Sequence, residues 1–370
     1  MSRTKKIILI VVGVIVLLVG AATVYLLKVN SDVDQAISKM TKKVNYKNTR
    51  SDTVDLKSGE PFSILLMGTD TGDKGRTYQG RSDSMMLVTI NPKKKQTMMT
   101  SLDRDIYTQI VGYKGDENNY VAKGDTYYDK LNAAYSLGGT KMAIESVQEM
   151  MDVPVDHYIE INMKGLKTLV DAVGGIEVDN KIDFTLDGVH VKKGKQTLDG
   201  RHALEYVRMR HEDPKGDVGR QARQREILSK IVHKILSVNS VTKYKKYLHA
   251  VEDYVRTDLS WSEMLTVAKD YTPAAENIKQ TQVEGQGEMI NDIYFQILGL
   301  NNLLEEQNLV KKQLDLPTKK KLPNLDEDDD NQLFFDDSEV DKISAGTHYD
   351  YTGYGKILYP IDKDNYKKSK

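Results

Sequence analysis

Ile7 to Leu27 is a run of 21 residues without a charged side chain, and it restricts the chain more than any other feature. At about 1.5 Å per residue, a helix of that length matches the roughly 30 Å hydrocarbon core of a bilayer. No face of the run is polar, so a soluble amphipathic helix fits it poorly. Arg3, Lys5 and Lys6 precede it. Positive charge there predicts a cytoplasmic N-terminal end, residues 1–6, and an extracellular remainder after Lys28. The rival reading is a signal peptide cut near Ala21-Ala22, but the run is long for such a signal. The sequence therefore predicts a single-pass protein of the cell membrane with residues 7–27 as its span.

Beyond the span, Lys28 to Glu60 is polar and mixed in charge, and reads as an extracellular stalk. From Pro61 the pattern turns globular. Phe62 to Met67 reads as a strand closed by Gly68. Ser84 to Ile90 and Thr97 to Leu102 read as a hairpin across the turn Asn91-Pro92-Lys93-Lys94-Lys95. Thr140 to Met151 reads as a helix capped by Thr140. His157 to Ile161, Met163 to Val173 and Ile176 to Val178 read as strand, helix and strand, a β-α-β stretch. Gly200 to Tyr206 is a short helix, Val207 to Arg210 an extended piece, and Gly219 to Leu236 a long helix. Two further helices and a strand at Ile278 to Val283 complete an α/β domain spanning residues 61–300. Asp326 to Asp330 is five acids in a row, so residues 301–370 read as a mostly disordered acidic tail.

Composition removes some chemistries. There is no cysteine, which excludes disulfides and thiolate catalysis. A net charge of −1 argues against nucleic acid as a partner. The seven histidines show no metal-ligand spacing. His211 beside Arg210 reads as an ordinary polar residue, and no nucleophile elbow is present.

The arginines are unevenly placed. The chain has 41 Lys and only 12 Arg, yet Arg201, Arg208, Arg210, Arg220, Arg223 and Arg225 fall within 25 residues. Where lysine serves for ordinary positive charge, arginine marks positions needing a planar, bidentate fork, and carboxylate and phosphate are the groups that want one. The bland alternative is ion pairing with Glu205, Glu212, Asp213 and Asp217. In the long helix Ile227, Leu228, Ile231, Val232 and Ile235 form a core stripe. Counting back places Gln224, Arg223 and Arg220 on that side and Arg225 towards solvent. Guanidinium on a buried side is costly unless it meets an anion. Asp217 reads as the helix cap.

Carboxylates supply a second cluster. Asp70 follows the first strand, Arg81 and Asp83 precede the second, and Arg104 and Asp105 follow the third. The hairpin makes Asp83 and Arg104 neighbours, and the loop Thr71 to Ser82 brings Asp70 to the same sheet end. Two carboxylates suit Mg²⁺, which binds through one or two acids plus substrate phosphates. Loop capping is the competing role for these acids.

Together these segments resemble the LytR-CpsA-Psr family. Leu65 to Asp70 (LLMGTD), Gly80 to Pro92 (GRSDSMMLVTINP), Thr100 to Asp105 (TSLDRD) and Leu198 to Gln224 carry the likeness, and Asn132 fits as well. It covers roughly Pro61 to Ser240, with order and spacing in agreement. The resemblance implies a single α-β-α domain with a central mixed β-sheet flanked by helices. It implies transfer of an anionic glycopolymer, teichoic acid or capsular polysaccharide, from undecaprenyl diphosphate to peptidoglycan through a phosphodiester. Arg81, Arg104, Arg208, Arg210, Arg220, Arg223 and Gln224 match the family's diphosphate contacts, with Asp105 in the same set. Asp70, Asp83 and Arg104 match catalytic positions, and Asp70 and Asp83 match the Mg²⁺ ligands. The prenyl chain is expected in an apolar pocket of the same domain. One departure is visible: the family's Ile-Pro before Arg-Asp is here Leu102-Asp103. A non-catalytic receptor for a lipid-linked polymer is the second reading. A transcriptional attenuator is the third, disfavoured because only six residues precede the span.

Overall fold

A computed structural model of the chain describes residues 37–70, 80–115 and 127–236, then 247–322 apart from a few positions, and the pairs 348–349 and 360–361. The predicted membrane span lies outside the described residues, as do the loop 71–79 and most of the acidic tail. Among the described residues, no helix is long and apolar enough to cross a membrane.

The centre is a six-stranded mixed sheet. Its strands are β1 (Phe62–Thr69), β2 (Ser82–Asn91), β3 (Gln96–Leu102), β6 (His157–Asn162), β11 (Val255–Thr257) and β12 (Ile278–Val283), in the order β11-β6-β1-β2-β3-β12. β2 is antiparallel to both β1 and β3, while β6 runs parallel to β1 and β12 parallel to β3. β1 and β2 are buried along nearly their whole length because helices cover both faces of the sheet. Successive residues therefore feed opposite cores. Ile64 packs into one with Val88, Ile159 and Ile227, and Leu65 packs into the other with Leu87, Ile144 and Val147.

Helices α2 (Met163–Ala172), α3 (Gly200–Arg208), α4 (Gly216–Leu236) and α5 (Trp261–Asp270) contribute to the first core. Helices α1 (Ala133–Met151) and α6 (Leu300–Gln313) contribute to the second. This is the expected α/β architecture, a mixed sheet between helical layers.

Several sequence expectations need correction. The reading of residues 28–60 as a stalk fails from residue 37, because Ile37, Met40 and Leu56 are buried in the first core. Arg50 also forms an ion pair with Asp156 at 2.7 Å. The domain does not end at Leu300, since Leu303, Val310 and Leu314 seal the second core and Asn91 donates to the Gln313 carbonyl at 2.8 Å. The helix expected from Thr140 to Met151 is present, but a kink with non-helical backbone at Gly138 and Gly139 joins it to a further helical stretch that begins at Ala133. Ile176 to Val178 does extend as β7 (Ile176–Asn180), but it pairs with β10 (Gly194–Leu198) in a separate ribbon rather than joining the main sheet. Val207 and Arg208 stay helical, and the chain turns extended only at Met209.

Candidate active site

β1, β3, β6 and β12 all end at one edge of the sheet, and antiparallel β2 begins there. In open α/β sheets, ligands bind beyond the carboxyl ends of the strands. Asp70 leaves β1 and accepts the Arg81 backbone N–H at 2.6 Å, so it closes the loop between β1 and β2. Asp83, at the start of β2, accepts Arg104 Nη1 at 2.8 Å and Asn132 Nδ2 at 3.1 Å, both on Oδ1. The neighbour relation expected from the hairpin is therefore present. The Arg81 side chain is exposed.

The turn carrying Arg104 is clamped by backbone bonds. Asp103 N–H donates to Val283 at 3.1 Å, Asn132 N–H to Arg104 at 3.1 Å and Gln296 N–H to Asp105 at 2.8 Å. Lys130 Nζ holds Asp105 at 2.8 Å. Arg104 is thus aimed by a rigid frame, which is the condition for electrostatic preorganisation. Its Nε makes no hydrogen bond but lies 3.4 Å from Asp105 Oδ2, an ion-pair contact that helps fix the guanidinium.

Asp103 faces inward rather than to solvent. It is 2% exposed and accepts the Asp105 N–H at 2.8 Å and Gln221 Nε2 at 3.1 Å. The same Gln221 nitrogen donates to Asp217 at 2.9 Å, and Asp217 pairs with Arg220 at 2.7 Å. Asp217 therefore sits within the first turn of α4 and anchors Arg220, instead of capping the helix from outside. Burial first, then the Asp217 charge, pushes the Asp103 carboxyl up to about 6. Burial opposes the Asp217 charge, but Arg220 and then Gln221 hold its carboxyl below the usual range. Below about pH 6 Asp103 takes the proton while Asp217 keeps its charge.

This has a measurable consequence. A carboxyl raised in the fold stabilises it when protonated, and that advantage is lost as pH rises from about 4 through 6. Above that window the ionised Asp103 costs about 3 kcal/mol, and losing its Gln221 bond on substitution costs about 1 kcal/mol. Asp103→Asn is expected to be about 2 kcal/mol more stable than wild type at pH 7.5 in urea unfolding. Its advantage shrinks as pH falls through 5. A constant difference across that range contradicts the protonation assignment.

Arg223, expected at the diphosphate, lies behind the wall. Its Nε donates to the Tyr206 carbonyl at 2.9 Å, Nη2 to the Met209 carbonyl and Nη1 to Asp213. Gly219 leaves room for this, because a Cβ there would lie 1.9 Å from Asp213 Oδ2. Arg208 pairs through Nη1 with Glu205 at 2.8 Å and Asp187 at 2.9 Å. Arg210 has no acid partner among the described residues and lines a cavity. Arg225, expected in solvent, donates to Ser101 at 2.6 Å.

Two cavities lie near this edge. A polar one of about 520 Å³ is lined by Arg104, Asp105, Lys130, Arg210, Asp217 and Tyr294, among others. An apolar cleft lies between the sheet and α2 and α4, lined by Leu66, Met86, Ile159, Leu166, Ile227 and Leu228. Ser84 and Gln224 are among its few polar residues, joined by a 2.8 Å hydrogen bond. Ser84 adjoins Asp83, which pairs with Arg104 of the polar cavity. The site therefore sets a chamber bearing Arg104, Lys130 and Arg210 among four aspartates close to an apolar channel, and an amphipathic anion such as a lipid phosphate would use both.

Among the described residues, no group of three or more His, Asp or Glu could cage a metal. Mg²⁺ in its other mode takes one or two carboxylates and completes its shell with phosphates, and Asp83 is a carboxylate here with an oxygen for it. Asp83 Oδ2 accepts none of the hydrogen bonds described for that carboxylate. Lys130, Gln221 and Tyr294 were missed by sequence reasoning. Lys130 could have been found, since it stands two residues before Asn132 in KLNAA. Tyr294 sits far along the chain, with no local signal.

Comparison with known proteins agrees with this geometry. The LytR-CpsA-Psr family model matches residues 27–312. The polyisoprenyl-teichoic acid–peptidoglycan teichoic acid transferase TagU of Enterococcus faecalis is 44% identical over 85% of this chain and 99% of its own. The crystal structure of Bacillus subtilis TagU superposes with a TM-score of 0.52 at 34% identity, covering 71% of this chain and all of that one. A structure of TagT bound to LIIa-WTA matches with a TM-score of 0.57 at 29% identity, covering 72% and 95% of the two chains. With its sheet, its arginine frame and these relatives in agreement, the chain belongs to the LytR-CpsA-Psr family.

Proposed function

We propose that this protein transfers an anionic glycopolymer, teichoic acid or capsular polysaccharide, from undecaprenyl diphosphate to a hydroxyl of peptidoglycan. The observation that carries the reading is the nearness of the chamber lined by Arg104 and Arg210 to the apolar cleft: Arg104 pairs with Asp83, whose chain neighbour Ser84 lines the cleft. A relative named for teichoic acid transfer and a neighbour solved bound to LIIa-WTA support the same chemistry. The prenyl chain enters the cleft and the two phosphates lie over Arg104 and Arg210, with Arg220 behind. An acceptor hydroxyl attacks the polymer-side phosphorus, and the bond to the lipid phosphate breaks. Undecaprenyl phosphate leaves, and the hydroxyl proton passes to Asp70 or Asp83. Phosphoryl transfer of this kind depends on alignment and charge neutralisation more than on a protein nucleophile. Asp70 and Asp83 would hold Mg²⁺, which supplies further charge neutralisation. Anchoring by residues 7–27, with the domain outside the cell, places the site near its lipid donor.

The purified protein, given a prenyl-diphosphate-linked polymer, a peptidoglycan glycan and Mg²⁺, is expected to release prenyl phosphate as polymer joins the glycan. Binding without transfer or release would instead make it a receptor.

A further inference from the structure

Among the described residues only four large hydrophobic side chains are exposed: Val218, Met289, Ile293 and Tyr294. All four belong to the surroundings of the polar cavity. Tyr294 lines it, and Val218 directly follows Asp217, which also lines it. Met289 and Tyr294 are cross-strand partners, and Ile293 lies beside them, in the hairpin of β13 (Gln286–Ile290) and β14 (Ile293–Ile297). An exposed apolar group next to a functional cleft is the usual mark of a recognition surface.

The hairpin is held rather than loose. Phe295 points inward, fully buried, and meets Tyr107 edge-on at 5.3 Å. Strand alternation then turns Tyr294 outward. Gln296 bonds to the Asp105 carbonyl through its backbone and to the Tyr294 hydroxyl through its side chain, at 2.8 and 2.6 Å. The Tyr294 ring is therefore fixed relative to the turn carrying Arg104. Lys130 Nζ lies 5.9 Å from its centroid.

We infer that this aromatic rim, centred on Tyr294, is the subsite for the acceptor glycan, and that it binds the apolar face of an N-acetylated hexosamine ring. The inference rests on the transferase reading above. The lipid side of the donor is accounted for by the apolar cleft. The wall under Tyr294 carries Asp103, Asp105 and Asp217. Burial, then the fields of Asp103 and Asp105, push the Tyr294 phenol above its ordinary value. Asp105 is paired with Lys130 and Asp217 with Arg220, so the floor beneath Tyr294 is largely charge-balanced and suits an uncharged sugar ring. A rigid aromatic face with a tethered hydroxyl suits the ring's C–H bonds and hydroxyls.

The test is steady-state transfer by the full chain, varying a soluble peptidoglycan oligosaccharide and a prenyl-diphosphate-linked donor separately. Tyr294→Ala is expected to raise the acceptor KM about five- to ten-fold, with donor KM within two-fold of wild type. Tyr294→Phe keeps the ring and should stay within about three-fold. Met289→Ser, at a position 52% exposed, should raise acceptor KM about two-fold without touching the fold. An unchanged acceptor KM in Tyr294→Ala and Met289→Ser overturns the subsite, and so does an equal rise in donor KM. Absence of any transfer by wild type defeats the parent reading instead, so the two failures are distinct.

Discussion

Arg104→Ala is expected to lower kcat for polymer transfer by about 10²- to 10³-fold, the usual loss when one preorganised donor to developing negative charge is removed. Arg104 is held on three sides: by Asp83 at 2.8 Å, by Asp105 at 3.4 Å, and by backbone bonds that lock its turn to Asn132 and β12. Its buried Nε lacks a hydrogen-bond partner. Nothing needs to move when charge develops on the transferring phosphoryl group, so the interaction is strongest in the transition state. Donor KM should therefore change by less than kcat. Arg104→Lys keeps the charge but not the fork, and is expected to recover only part of the rate. Transfer by Arg104→Ala within about three-fold of wild type would remove this residue from the chemistry.

Arg223→Ala carries the largest stability effect, about 3–5 kcal/mol, the cost of leaving one partner of a buried ion pair alone. All three guanidinium nitrogens already donate to native acceptors, namely Tyr206 and Met209 carbonyls and the Asp213 carboxylate. Arg223 is 8% exposed, so solvent replaces little of this. Its removal strands two carbonyls and a carboxylate at the bend where α3 gives way to Arg210. The expected readout is a midpoint lowered by roughly 10 °C in thermal unfolding. A second consequence is loss of donor binding by the native remainder, because Arg210 loses its support. If the variant unfolds like wild type, Arg223 is not the bracket described here.

Much of the site was legible because hairpin geometry is local. The turn at Asn91 to Lys95 fixes β2 against β3, and that alone brings Asp83 to Arg104. The 3.6-residue period likewise placed Arg220 and Arg223 on the buried side of α4. Their partners were not legible. Asp217 and Asp213 are near in sequence, but whether an arginine meets a native acid or a ligand depends on where α3 ends. Most forks proved to be paired with native acids, and the cavity still lies among them. The acids aim the arginines, while Arg210 lines the cavity with no acid partner among the described residues.

Other misreadings share one cause, distant packing. Ile37 and Met40 are isolated apolar residues in a polar stretch, and only the far face of the sheet explains their burial. Leu303, Val310 and Leu314 form a sparse stripe that the neighbouring acidic run obscures. Nothing near Asp103 in the sequence announces Gln221 as its partner.

A crystal structure of the folded domain with a prenyl diphosphate and Mg²⁺ probes the shared chamber most directly. Both phosphates should lie within hydrogen-bonding reach of Arg104 and Arg210, with the hydrocarbon running past Ser84 and Gln224 between β2 and α4. Lipid bound elsewhere, with the chamber still closed by its own carboxylates, would contradict the account.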